Sequence, residues 1–141
     1  MAGHSDVIQK VSYIAGADLS SDDGRAMQMQ ADGTIIRATD GTVATGQQIK
    51  GFIPIDGGNE SGQAVGVVVH GLVDLLVGDT FTRGTHDYAT IDSAGRAVPW
   101  TSGNICVAQW ISEGLGNLAV NNYGKFFVNM LGLNAGAIGG A

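Results

Sequence analysis

The chain has few of the residues that carry charge. Charged side chains make up only 14% of the 141 residues, against roughly 25% in ordinary soluble domains. Thirteen Asp and Glu residues outnumber seven Lys and Arg residues, which gives a formal net charge of −6. A phosphate backbone requires clustered cations, so this balance argues against a nucleic acid as partner. A surface so poor in charge also suggests that another molecule covers part of it.

Cysteine and long apolar runs are scarce too. The one cysteine, Cys106, cannot form an intramolecular disulfide, and its apolar neighbours favour a buried position in a strand. Folding therefore does not depend on an oxidising compartment. The apolar runs fall short of the ~18 residues that span a bilayer, and the N-terminus lacks the pattern of a secretory signal. We expect a protein that is made in the cytoplasm and has no membrane partner.

Glycine and β-branched residues are what the chain has in quantity. Val65, Val67 and Val69 alternate with other residues, the period of two that turns one face of a strand toward a core. Turn signals then occur at nearly regular spacing, at Gly71 and at residues 78–79, 83–85 and 92–95. This pattern predicts an all-β fold, a compact antiparallel β-barrel or sandwich of short strands.

Further strands are predicted on both sides of that region. Asp32-Gly33 lies between the alternating segments 26–30 and 34–38, which is a strong sign of a β-hairpin. Other strands are predicted at residues 51–54, 104–111, 118–120 and 125–131. The predicted core joins one parity of the valine run, either Val65, Val67 and Val69 or the parity of Val68, to Ile35, Val107 and Phe126 or Phe127.

The pattern divides the chain into an N-terminal arm (1–24), a β domain (25–131) and a Gly/Ala-rich C-terminal tail (132–141). The arm lacks the regularity of the body, so we expect it to be extended, and we expect residues 1–19 to take no part in the core and to become ordered through a partner. A short amphipathic helix in the arm is an alternative. The predicted partner-interface residues are Val7, Ile8, Val11, Tyr13 and Ile14.

No cofactor or metal site is predicted. Residues 114–119 match the relaxed dinucleotide motif, but the residues after the motif do not begin a helix, and no acidic residue remains to hold a ribose. Asp18, Ser20 and Asp22 resemble the start of a calcium loop, which then lacks the required Gly and Glu. The histidines have no metal-ligand spacing.

No catalytic group is predicted either. His86 beside Asp87 could orient a base, but no nucleophile elbow accompanies the pair. Asp74 and Asp79 bracket an apolar run without other catalytic groups nearby. We therefore expect a protein that is not an enzyme.

Three features occur together between residues 64 and 100: a glycine-rich strand over 66–69, a Gly-Asp turn at 78–79 and a hairpin over 87–97. In these the sequence resembles the small head-decoration, or capsid cement, proteins of tailed bacteriophages. The looser resemblance extends from about Leu19 to Leu131. It implies a compact β-barrel-like protein that binds the outside of an assembled capsid, often as a trimer.

The resemblance thus implies a structural virion protein that is made in the host cytoplasm and stabilises the outer capsid surface. Its expected partners are the major capsid protein and other copies of itself in a homotrimer. Low charge suits such a role, since few charges must be desolvated when large areas are buried. The alternative is a carbohydrate- or receptor-binding β module of a virion or surface structure, with Trp100, Trp110 and Tyr123 as its aromatic platform.

Overall fold

The computed structural model describes residues 8–42, 48–111 and 116–130. Val7 and the predicted tail, residues 132–141, lie outside the described residues. Within the described ranges the chain forms strands and no helix. The strands are β1 (Gln9–Ile14), β2 (Ala26–Met29), β3 (Ile35–Arg37), β4 (Ile49–Phe52), β5 (Ala64–Leu76), β6 (Tyr88–Ile91), β7 (Ala97–Pro99), β8 (Ala108–Trp110) and β9 (Tyr123–Asn129).

All nine strands belong to one antiparallel sheet with the order β3-β2-β4-β5-β9-β8-β6-β7, and β1 pairs with β5. The predicted all-β class is confirmed. Of the two predicted architectures, the structure has the sandwich-like one, because the sheet is not closed into a barrel. The alternative of a short helix in the arm is wrong for residues 9–14, which form β1.

Strand β5 is the centre of the fold and runs for 13 residues. Gly71 lies inside it with a φ of 123°, so the turn predicted there is wrong. Next to it the register of β1 on β5 shifts: Gln9 pairs with His70, but Lys10 pairs with Val68. Val69 is therefore the extra residue of a β-bulge, which reverses the side-chain alternation of the strand.

The bulge lets β5 contribute to two cores. Before it, Val65 and Val67 pack into a smaller second core with Ala15, Leu19, Met27, Ile35 and Ile53. Val68 points to the opposite side, into the larger first core, and after the bulge Val73 and Leu75 point there too. Both parities of the valine run are thus buried, where the sequence predicted one. Of the predicted core partners, Ile35 lies in the second core, and Val107 and Phe126 lie in the first.

The local predictions hold best where turn chemistry is strong. The hairpin around Asp32-Gly33 forms between β2 and β3, and the hairpin over 87–97 forms between β6 and β7. The strand predicted at 104–111 is shorter, because only Ala108–Trp110 pairs regularly. Instead of the strand predicted at 118–120, Leu118 makes a single bridge to Phe81.

The arm contributes to the core, contrary to the prediction. Ala15 and Leu19 are 2% and 1% exposed and belong to the second core. The Leu19 N–H donates to the Asn59 carbonyl at 2.8 Å, and the Gly16 N–H donates to the Ile35 carbonyl at 2.7 Å. These contacts tie the end of the arm to the body.

Candidate functional site

The predicted interface residues lie along β1, at one margin of the sheet. Ile8, Val11 and Ile14 expose 40%, 40% and 47% of their surface. Tyr13 is half-buried, because it packs against the second core. Val7 lies outside the described residues. The structure thus places three of the five predicted side chains at the surface, in or beside one strand.

Strand β1 also has an unpaired backbone edge. Within the described ranges it pairs with β5 alone. The Ala15 N–H donates to the Gln63 carbonyl on the β5 side at 2.9 Å, so by alternation Val11 and Tyr13 direct their backbone groups to β5. The N–H and C=O groups of Lys10 and Ser12 point outward. Beyond them the edge is covered, because Ala15 bridges Ile35 and the Gly16 N–H donates to the Ile35 carbonyl. The open part of the edge is a template for strand addition by another chain.

The acidic residues of the calcium-like segment are used in local structure. Asp18 accepts hydrogen bonds from the Ser20 hydroxyl at 2.6 Å and from its N–H at 3.0 Å. These bonds lower the pKa of Asp18. Asp22 is buried and pairs with Arg37 at 3.4 Å. Among the described residues, no three His, Cys, Asp or Glu side chains are grouped to hold a metal ion.

The residues considered for catalysis also have structural surroundings. His86 Nδ1 accepts the Thr82 N–H at 2.9 Å, and the His86 ring lies edge-on to Phe81. Cys106 is buried, and this burial raises the pKa of its thiol, as expected for an inert packing residue. No helix in the described ranges is long and apolar enough to cross a membrane.

A second exposed surface lies on the outer face of the sheet, behind the first core. The register places four side chains side by side across four strands, since Tyr88 pairs with Gln109, Gln109 with Phe127 and Phe127 with Leu72. The Trp100 N–H extends the series by donating to the Tyr88 carbonyl at 2.8 Å. Residues directly opposite in a sheet share a face. We call this series, Trp100, Tyr88, Gln109, Phe127 and Leu72, the aromatic row.

Two clefts lie along the aromatic row, one on each side of Tyr88. The first, of about 180 Å³, lies between Tyr88 and Trp100 and is bordered by residues 85–87. The second, of about 170 Å³, lies between Tyr88 and Phe127 and includes Asn129 in its wall. Tyr88 is 48% exposed, so its ring is accessible from both clefts.

The aromatic platform predicted from the sequence is only partly right. Trp100 is half-buried in the aromatic row. Trp110 is 9% exposed and faces inward against Phe126 and Phe81. Tyr123 is exposed at the far end of β9, where its hydroxyl donates to the Asp23 carbonyl at 3.4 Å. Tyr88 and Phe127 were missed, because only the non-local register of β6, β8 and β9 brings them together.

Comparison with known proteins identifies a shared fold. No family model matches the chain, and no curated protein sequence matches it. Among solved structures, the chain is similar to the N base of the head fiber gp8.5 of bacteriophage phi29, with a TM-score of 0.55 and 14% sequence identity. The match covers 91% of this chain and 99% of that one. At this identity the likeness concerns the fold.

Proposed function

We propose that this protein is a structural component of a phage virion that binds the outer surface of the capsid as a decoration or cement protein. The observation that carries the proposal is the fold shared with the base of a phage head fiber over nearly the whole of both chains. The low charge content supports a role in which much surface is covered. A role in assembly requires complementary surface and no reactive group.

Strand β1 is the surface we assign to this binding. Its outward N–H and C=O groups can extend the ladder of a neighbouring chain, and the exposed Val11 and Ile14 side chains can pack on the strand that is added. The expected neighbours are the major capsid protein and a sister subunit of a homotrimer. Many equivalent contacts on a lattice then give strong attachment from individually modest ones.

The test is co-sedimentation with heads that lack the protein. Ser12→Pro removes one outward N–H, and proline is tolerated on an edge strand whose N–H faces away from the sheet. We expect this variant to keep the melting temperature of the natural protein and to bind heads more weakly, by about tenfold for a lost hydrogen bond and impaired pairing. Ser12→Ala, which keeps the N–H, is the matched control and should bind normally.

Two results would contradict the proposal. If the natural protein stays in the supernatant while the heads pellet, at every protein concentration used, it is not a capsid-binding protein. If Ser12→Pro binds as tightly as Ser12→Ala, the edge of β1 is not the contact. The homotrimer is tested separately by reconstruction of decorated heads, in which copies without mutual contacts would exclude it.

A further inference from the structure

The aromatic row is a second exposed surface, and it takes no part in the capsid contact that we assign to β1. Its inner neighbours Ala89, Ala108 and Phe126 are buried in the first core, so the row is the solvent side of a rigid sheet. Three strand spacings separate Trp100 from Phe127, so the part of the row that carries the aromatic rings is about 14 Å long, and the whole row to Leu72 is about 19 Å long. We propose that it binds a neutral oligosaccharide laid across the strands, with sugar rings in the two clefts beside Tyr88.

The aromatic side chains of the row fit the apolar faces of sugar rings. Tyr88 on β6 lies opposite Trp100, the residue that follows β7, and on its other side Phe127 comes after Gln109. The Phe127 ring is fixed by an edge-on contact with His70, at 5.2 Å between centroids and 82° between planes. The Trp100 indole is fixed by its Nε1–H, which donates to the Asn104 carbonyl at 2.7 Å. Two ring faces held in this way lose little freedom when a ligand binds.

Polar groups in the walls of the clefts fit the hydroxyl groups of a sugar. In the first cleft His86 uses Nδ1 to accept the Thr82 N–H, so its neutral ring carries the proton on Nε2 as a donor. Asp87 beside it is exposed and supplies carboxylate acceptors. A hydroxyl group both donates and accepts, so it can satisfy both kinds of partner.

The second cleft contains an acceptor that lacks a donor. Asn129 Oδ1 is buried and has no hydrogen-bond partner within the described ranges. A buried acceptor of this kind is costly unless something donates to it. The rest of this cleft is mostly apolar, with Tyr88, Cys106 and Phe127 in its walls. A sugar hydroxyl above a stacked ring would supply the missing donor once the Asn129 side chain rotates toward the cleft.

The charge of the surface selects among ligand classes. Of the described residues that line the two clefts, Asp87 alone carries a formal charge. With the net charge of −6 this disfavours phosphate and other anionic groups. The combination of aromatic faces, amides and one carboxylate favours an uncharged polyhydroxylated ligand.

The experiment titrates the free protein with maltohexaose, cellohexaose and chitohexaose and monitors tryptophan fluorescence. We expect saturable binding of at least one hexasaccharide, since Trp100 lies in the row and Trp110, the other tryptophan, is buried. Tyr88→Ala removes an exposed ring without opening the core and should weaken binding about tenfold. Tyr123→Ala, the loss of an equally exposed tyrosine at 44%, is the matched control and should bind like the natural protein.

Absence of saturable binding to all three probes would overturn the proposal, as would equal affinity of the Tyr88→Ala and Tyr123→Ala variants. If no sugar binds and the Tyr88→Ala variant instead fails to co-sediment with heads, the aromatic row is a contact surface for another protein. Because the sugar titration uses no heads, its outcome is independent of the capsid proposal. Far-UV spectra of each variant show whether the fold is retained.

Discussion

Loss of one buried side chain from the second core should destabilise the entire domain, because β5 is a wall of both cores. Met27 is 0% exposed and lies in the second core. Truncation of a buried methionine to alanine costs about 2–5 kcal/mol, a large part of the roughly 5–15 kcal/mol that holds a domain folded. With a loss of about 3 kcal/mol and a urea slope of about 1.5–2 kcal/mol/M, the unfolding midpoint of Met27→Ala should fall by about 1.5–2 M.

The assay monitors the other core. In a Trp100→Phe background Trp110 is the remaining tryptophan, and its ring packs 5.7 Å from Phe81 in the first core. We expect its fluorescence and the far-UV signal to report one shared, lowered midpoint in Met27→Ala. Met29→Ala, a change of the same residue type at a half-buried position of β2, should shift the midpoint less. An unchanged Trp110 midpoint beside a lowered far-UV midpoint would refute cooperative unfolding of the two cores.

Two titratable groups give further predictions. Hydrogen bonds from the Thr34 hydroxyl and N–H lower the pKa of Asp32, so its stabilising effect is present above the ordinary aspartate pKa and is lost as the pH falls through the lowered value. A plot of melting temperature against pH should therefore be flatter below pH ~4 for Asp32→Ala than for the natural protein; parallel curves would contradict this. Because burial raises the pKa of the Cys106 thiol, a thiol reagent at pH ~8 should label the folded protein far more slowly than the urea-unfolded one, and equal labelling rates would show that the thiol is accessible.

The sequence predicts the features that local chemistry decides. The Asp32-Gly33 turn fixes its own hairpin, because the two residues accept the backbone angles that a tight connection needs. At Gly71 the same reasoning fails: an isolated glycine has the signature of a turn, but here it lies within a strand beside a bulge. The number of cores was not predictable either, because alternation along β5 alone does not reveal that both of its faces are covered.

The same difference between local and non-local information applies to the two candidate surfaces. Apolar residues in an irregular polar segment were sufficient to single out Ile8, Val11 and Ile14, which the structure leaves exposed at an edge strand. The aromatic row depends on which strands are neighbours and in what register, and that information is non-local. Trp100 and Trp110 have similar sequence surroundings, yet one faces a cleft and the other faces Phe81.

The bulge at Val69 changes which side chains of β5 face which core. Upstream of it the odd-numbered side chains enter the second core, and downstream the odd-numbered side chains enter the first. The number of residues in β5 is therefore constrained more tightly than their identity. Exchanges among apolar residues leave this alternation intact, whereas deletion of a single residue between the bulge and Leu75, such as Leu72, would turn Leu75 to the outer face of the sheet and Leu76 inward. We therefore expect β5 to tolerate apolar substitutions far better than insertions or deletions.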